Sequence, residues 1–210
     1  MPSKRLFALA ASALAIPAAA LAAPKPPPTA PTIAISTAKV TFGASATISG
    51  TTTANAVVTL RGDAYPFNNS FGQATRATSN AAGAYSFTVK PDSSTHYRVD
   101  VKKAHSQVVA LAVRWKVTRH VSTKHPKRGS RVLFSGLVSP AHVGGTVSIQ
   151  RHSGGVWKTV KTATLAALTS TSSAYSVRVR VRRTGTYRVR CEGDGAHDAG
   201  NSRSVKLTVH

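Results

Sequence analysis

Apolar and polar residues alternate in short runs along most of this chain. "ATISG" at 46–50, "VVTLR" at 57–61, "YSFTV" at 85–89 and "YRVDV" at 97–101 are examples. A period of two places every second side chain on one face, which is the pattern of a half-buried strand. The inward set runs Ala46 and Ile48, Val58 and Leu60, Tyr85, Phe87 and Val89, then Val99 and Leu111. Gly, Pro, Ser and Thr fill the gaps. No segment beyond residue 31 carries an apolar stripe of period 3.6, so the pattern predicts strands and almost no helix.

The pattern occurs twice. "GASATISG" from Gly43 matches "GSRVLFSG" from Gly129, and "AVVTLR" from Ala56 matches "GTVSIQ" from Gly145. "FGQATRAT" from Phe71 matches "WKTVKTAT" from Trp157, and "GAYSFTV" from Gly83 matches "SAYSVRV" from Ser173. "YRVDV" from Tyr97 matches "YRVRC" from Tyr187, and "VALAV" from Val109 matches "VKLTV" from Val205. The offset drifts from 86 to 96 residues, and every change falls between matching segments. Insertions confined to loops mark a duplicated domain. The second inward set is then Val132, Phe134, Val147, Ile149, Tyr175, Val177, Val179, Val189 and Leu207. About seven short strands per copy predict two antiparallel two-sheet sandwiches, at 32–113 and 114–210. Val113 ends one copy and Trp115-Lys116-Val117 begins the next, so the pair should be a semi-rigid rod. Trp115 either packs at that junction or only starts the next core face.

"GVWKTVKTATL" and "SAYSVRVRVRRTGTYRVRCEGDGAHDAGNSRSVKLTV" resemble the Ig-like repeats of secreted and surface proteins of bacteria. The shared pattern runs W-x-x-V, Y-S-x-x-V and T-x-Y-R-V, then a G-D turn and an alternating V-x-L-x-V end. The first copy follows it through "THYRVDV" and then departs, because its loop "KKAHSQ" is shorter and lacks the G-D turn. The resemblance implies an Ig-like sandwich with an extracellular scaffold, stalk, adhesion or accessory role. It implies no catalytic residue. Tyr97 and Tyr187 open the penultimate strand after a polar corner, where a tyrosine of an Ig-like sandwich bonds back to the chain. The alternative for both is an ordinary core tyrosine.

The N-terminus reads as an export signal. Lys4 and Arg5 precede an apolar run from Leu6 to Ala22 that ends in Ala20-Leu21-Ala22, a small-x-small cleavage site. Residues 1–22 are thus expected to be removed, and 23–31, "APKPPPTAP", to form an extended Pro-rich tether. An uncleaved anchor helix would have no reason to end in such a site. No later apolar stretch is long enough to span a membrane, so the mature chain should lack a transmembrane segment. It is expected to be secreted or held at the cell envelope. Cys191 is the only cysteine, so neither domain can be stapled internally. Cys191 is either a reactive or dimer-forming thiol or, as its inward position favours, a buried small hydrophobe.

Charge changes the picture next. The chain holds 28 Lys and Arg against 6 Asp and Glu, a formal net charge of +22. Residues 32–113 hold seven cations and three acids, whereas 114–210 hold eighteen and three. Such a field attracts anionic surfaces. The duplication is an internal control. Arg178, Arg180, Arg182, Arg183 and Arg190 align with Thr88, Lys90, Asp92, Ser93 and Asp100, so the fold does not require these arginines. In an Ig-like sandwich the strands of Tyr175 and Tyr187 lie in opposite sheets. Arg178, Arg180 and Arg182 should then share a face with Arg131, and Arg188 and Arg190 the other with Lys206. Arg183 could serve either side. These eight residues are the candidate polyanion-binding set. No aromatic is interleaved with them, because Tyr175 and Tyr187 point inward. The pattern therefore argues against sequence-specific reading of nucleic acid and fits better with salt-dependent adherence to an anionic envelope polymer or glycan.

Catalytic chemistry finds little purchase. Glu192, Asp194 and Asp198 are the only acid cluster, and they fall in a turn where Asp caps local N–H groups. They match no calcium loop. His197-Asp198 lacks a marked serine nucleophile, and the eight histidines are scattered without metal-ligand spacing. No catalytic residue, metal or cofactor is assigned. Arg61-Gly62-Asp63 follows the "VVTL" strand and would be an integrin-type tripeptide if it lay in an exposed loop, but three-residue matches recur by chance and its counterpart Gln150-Arg151-His152 lacks it. Asn68-Asn69-Ser70 is a glycosylation sequon. Tyr65, Phe67 and Phe71 are the only candidates for a glycan-binding platform, against plain loop packing. The sequence thus points to a non-enzymatic envelope-associated structural or binding protein, with adhesion or carbohydrate binding as the alternative.

Overall fold

The computed structural model describes residues 30–210, and the proposed signal peptide and most of the tether lie outside them. Every element among the described residues is a strand. The first sandwich contains β1 (Ala34–Ile35), β2 (Lys39–Thr41), β3 (Ala46–Thr51), β4 (Val57–Ala64) and β5 (Gly72–Thr78). It continues with β6 (Ala84–Val89), β7 (Thr95–Val101), β8 (Ala104–His105) and β9 (Val109–Arg114). One sheet has the order β1-β3-β6 and the other β2-β9-β7-β4-β5, with β8 against β7. The entering chain changes sheets: β1 pairs antiparallel with β3, and β2 pairs parallel with β9.

The second sandwich opens with β10 (Lys116–Val117) and β11 (His120–Val121), both paired to β12 (Arg131–Ser139). It continues with β13 (Thr146–Ser153), β14 (Val156–Thr164), β15 (Ala166–Thr169) and β16 (Ser172–Arg180). β17 (Gly185–Cys191), β18 (Gly200–Asn201) and β19 (Val205–Leu207) complete it. The sheets run β10-β12-β16-β15 and β14-β13-β17-β18, with β19 also on β17. This is the strand order of Ig-like sandwiches.

Each sandwich has its own core, as the alternation requires. Ile48, Leu60, Val99, Leu111 and Val113 centre one, and Phe134, Ile149, Leu165, Val189 and Leu207 the other, all at most 1% exposed. The duplication holds at the level of single pairings. Leu60 faces Thr75 and Val99, and Ile149 faces Lys161 and Val189. Tyr97 faces Val109, and Tyr187 faces Val205.

A second repeated device ties the first strand to the core. Tyr175 lies opposite Gly136 and donates its hydroxyl proton to the Thr118 carbonyl at 2.7 Å. Tyr85 lies opposite Gly50 and donates likewise to Thr32. The glycines permit this: a Cβ on Gly50 or Gly136 would collide with both the carbonyl and the phenol. Burial raises the pKa of both phenols, that of Tyr85 to about 12. The sequence points to Tyr97 and Tyr187 for the bond back to the chain, but the structure assigns it to Tyr85 and Tyr175. Tyr97 and Tyr187 are core residues, 5% and 3% exposed. The glycine opposite the ring, not the corner, decides where a hydroxyl can reach a carbonyl.

Replacing Gly136 with Ala should cost about 1–3 kcal/mol by overpacking. Tyr175→Phe should cost about 1 kcal/mol for the lost hydrogen bond. Urea denaturation measures both, and a Gly136→Ala variant of unchanged stability would contradict the close approach.

Candidate functional site

The arginine rows separate as the topology requires. β16 and β17 lie in opposite sheets. Arg178 and Arg180 are exposed on β16, and Arg131 is exposed directly across from Arg180. Arg182 and Arg183 follow the strand and are exposed. Lys206 is exposed opposite Thr186, on the face that Arg188 and Arg190 share.

Arg188 and Arg190 are already engaged. The Arg188 Nε–H donates to Gln150 Oε1 at 2.8 Å, and its guanidinium lies 4.2 Å from the centre of the Trp157 ring. Arg190 donates twice to the Glu192 carboxylate, at 2.6 and 2.8 Å. That pairing raises the Arg190 pKa and lowers that of Glu192. The first sandwich repeats the cation–π contact at the aligned positions, with Arg98 lying 4.5 Å from the centre of Phe71. Arg188 is therefore a packing residue of this fold as much as a surface charge.

Three cations that the sequence reading passes over join the other row. β14 is an edge strand, and its register on β13 shifts between Ile149 and Gln150. Lys161 faces Ile149, Thr159 faces Gln150 and Lys158 faces Arg151, which leaves Val160 as the extra residue of a bulge. Directly opposed residues share a face, and Ile149 is a core residue. The bulge thus puts Lys158, Lys161 and Arg151 all on the inward face of an edge strand and its neighbour. There the core has ended, and they look into the open seam between the sheets.

The seam contains two depressions. One, of about 360 Å³, is lined by Arg131, Val160, Lys161, Arg178, Val179 and Arg180. The next, of about 350 Å³, adds Arg151, Lys158 and Arg182. No carboxylate pairs with any of these seven cations among the described residues. The rows are thus not confined to two outward faces: the one with Arg131 meets inward cations of the opposite sheet around the sandwich edge. Arg180 is fixed there by its Nε–H bond to the Gly129 carbonyl at 3.0 Å.

The first sandwich shows the same seam without the charge. Its bulge lies between Leu60 and Arg61 in the same register. Gly62, Gly72 and Thr75 stand where Arg151, Lys158 and Lys161 stand in the second. Ser45, Thr88, Lys90 and Asp92 take the places of Arg131, Arg178, Arg180 and Arg182. Seven cations replace one cation and one anion.

The acid cluster is engaged in structure. The loop from Glu192 to Gly200 joins the two sandwiches. Trp115 is 2% exposed, donates its indole N–H to the Glu192 carbonyl at 2.9 Å, and stacks on His197 at 4.1 Å. Asp198 N–H donates to the Val113 carbonyl at 2.7 Å, and Ser94 N–H donates to that of Ala196 at 2.9 Å. The Asp198 carboxylate pairs with Lys39, and Asp194 Oδ1 accepts from the His197 N–H at 2.8 Å. His197 Nε2 lies 2.9 Å from the Asp92 carbonyl. Trp115 serves both the junction and the second core.

Two other candidates change meaning. Arg61-Gly62-Asp63 is not in an exposed loop: it lies inside β4, where Asp63 is 3% exposed and accepts the Asn69 N–H. Arg61 pairs with the Asp100 carboxylate. Burial alone would raise the Asp100 pKa, but hydrogen bonds from His105 and Arg61 and the charge of Arg98 bring it below the usual range. The aromatic loop packs on itself and on β7. Phe67 stacks on His96 at 4.1 Å, Arg98 covers Phe71, and Tyr65, 45% exposed, meets Phe67 edge-on.

No family model matches the chain, and no curated protein matches it. Among solved structures, red sea bream transglutaminase aligns with 87% of this chain and 31% of its own, at 14% identity and a TM-score of 0.42. A tetra-tandem repeat from the extending region of a large adhesion protein aligns with 86% of this chain and 50% of its own. That alignment has 19% identity and a TM-score of 0.35. This chain therefore spans less than a third of the first and half of the second.

Trp115→Ala should destabilise the second sandwich by about 3–5 kcal/mol, read by thermal or chemical unfolding. Cys191 is 1% exposed, and burial, with the charges of Asp194 and Glu192, pushes its thiol up to about 11. A maleimide at pH 7 should leave the native thiol unlabelled and react on unfolding; prompt labelling of the folded protein would contradict the burial.

Proposed function

We propose that this chain is an exported, non-enzymatic tandem Ig-like protein of the bacterial envelope. It serves as a structural or binding module, and its second sandwich holds it to anionic envelope polymers. The observation that carries this reading is the edge of the second sandwich, where seven cations gather without a carboxylate while the aligned edge of the first is nearly neutral. Clustered uncompensated charge of this kind binds polyanions and releases them as salt rises. The fold tolerates the cluster: charges about 7 Å apart on one strand face repel by only ~0.6 kcal/mol per pair in water.

The chain from Ala23 onward should bind isolated envelopes or an anionic resin and elute by about 0.5 M salt, because contacts of this kind weaken steeply with ionic strength. Changing Arg178, Arg180 and Arg182 together to Glu should weaken retention and lower the salt needed for elution while the circular dichroism of the fold stays unchanged. Retention unaffected by that triple change would sink the reading.

A further inference from the structure

We propose that the seam between β14 and β16 is a linear cleft for a single-stranded polyphosphodiester of the polyol-phosphate kind. The proposal rests on envelope retention and narrows it from a charged domain to one site and one ligand chemistry.

The cleft is continuous. Its two depressions share Val160, Val179 and Arg180, so they follow one another along the strands. Its side is open, because β15 pairs only with residues 172–174 of β16 and leaves the edge beyond them uncovered. The facing wall belongs to the other sheet, which contributes Arg151, Lys158 and Lys161.

The lining selects the anion. Five of the seven cations are arginines, whose flat forks match two oxygens of a phosphate. Arg178, Arg180 and Arg182 recur every second residue, about 6.6 Å apart if the chain stays extended. An open-chain polyol phosphate has six backbone bonds per phosphate. At the peptide's reach of about 3.5 Å per three bonds, successive phosphates fall about 7 Å apart, close to the arginine repeat.

The floor selects the rest of the repeat. Val160, 44% exposed, offers an apolar contact for the carbon segment between phosphates, above the buried Val179 of the core. The one ring at the cleft, Tyr187, is 3% exposed and offers no face for a base to stack on. A nucleic acid strand has the same phosphate spacing but would leave its bases without a partner.

The test uses two triple variants that remove equal charge from exposed positions. One is Lys158→Gln, Lys161→Gln and Arg178→Gln in the cleft. The other is Arg183→Gln, Arg203→Gln and Lys206→Gln outside it. Synthetic poly(glycerol phosphate) is titrated into each at several salt concentrations, with a sulfated glycan and single-stranded DNA of matched charge as comparison probes. The cleft variant should lose at least tenfold in affinity, and its salt slope should fall by about 2, from three phosphate contacts at ~0.7 each. The outside variant should lose less than threefold. Equal losses in both variants would overturn the cleft and leave envelope retention standing as diffuse charge. Tighter binding of DNA or sulfated glycan than of poly(glycerol phosphate) would overturn the ligand class. A wild-type protein that binds none of the three would overturn the retention reading as well.

Discussion

An edge strand turns half of its side chains toward a core that ends before it reaches them. That constraint shapes both sandwiches. β5 and β14 each close one sheet, and each carries a bulge at the same point of its register. A bulge breaks the alternation, so residues on either side of it share a face when three positions apart. Apolar residues there would make an exposed sticky edge. The first sandwich resolves this with Gly62, Gly72 and Thr75, and the second with Arg151, Lys158 and Lys161. The same backbone solution thus leaves a neutral seam in one copy and a cationic cleft in the other.

The joint between the copies follows a different logic. The loop "CEGDGAHDAGNS" is long in the second copy and short in the first. Its carbonyls and N–H groups meet Val113, Ser94 and Trp115, and Lys39 reaches its Asp198. Three of the chain's six acids, Glu192, Asp194 and Asp198, lie in it. They are engaged by Arg190, by the local turn and by Lys39, and the other three, Asp63, Asp92 and Asp100, lie in the first sandwich, so among the described residues none pairs with the cations of the cleft. The scarcity of acids and their placement are therefore parts of one arrangement.

Much of this was legible in the sequence. Strict alternation named the core residues, because a strand buried on one face has no other way to hide them. The internal match gave the pairings, since Leu60 and Ile149, or Leu111 and Leu207, occupy equivalent ladder positions. The cleft was half legible. Arg131, Arg178, Arg180 and Arg182 follow a period of two and stand out. Lys158 and Lys161 are three apart, a spacing that means nothing on a regular strand, and only the bulge gives them one face. Their alignment with Gly72 and Thr75 was the available signal. Arg61-Gly62-Asp63 follows the apolar run "VVTL", where the strand could have ended, but Gly62 and Asp63 stay paired to Tyr97 and His96.

The central claim is that charge in this protein is focused at one sandwich edge. Amide chemical-shift mapping during titration with poly(glycerol phosphate) tests it most directly. The account predicts shifts concentrated at 131, 151, 158–161 and 178–182, with residues 45, 62, 72–75 and 88–92 of the first seam unmoved. Shifts spread evenly over both outward faces of the second sandwich, or equal in the two seams, would contradict it.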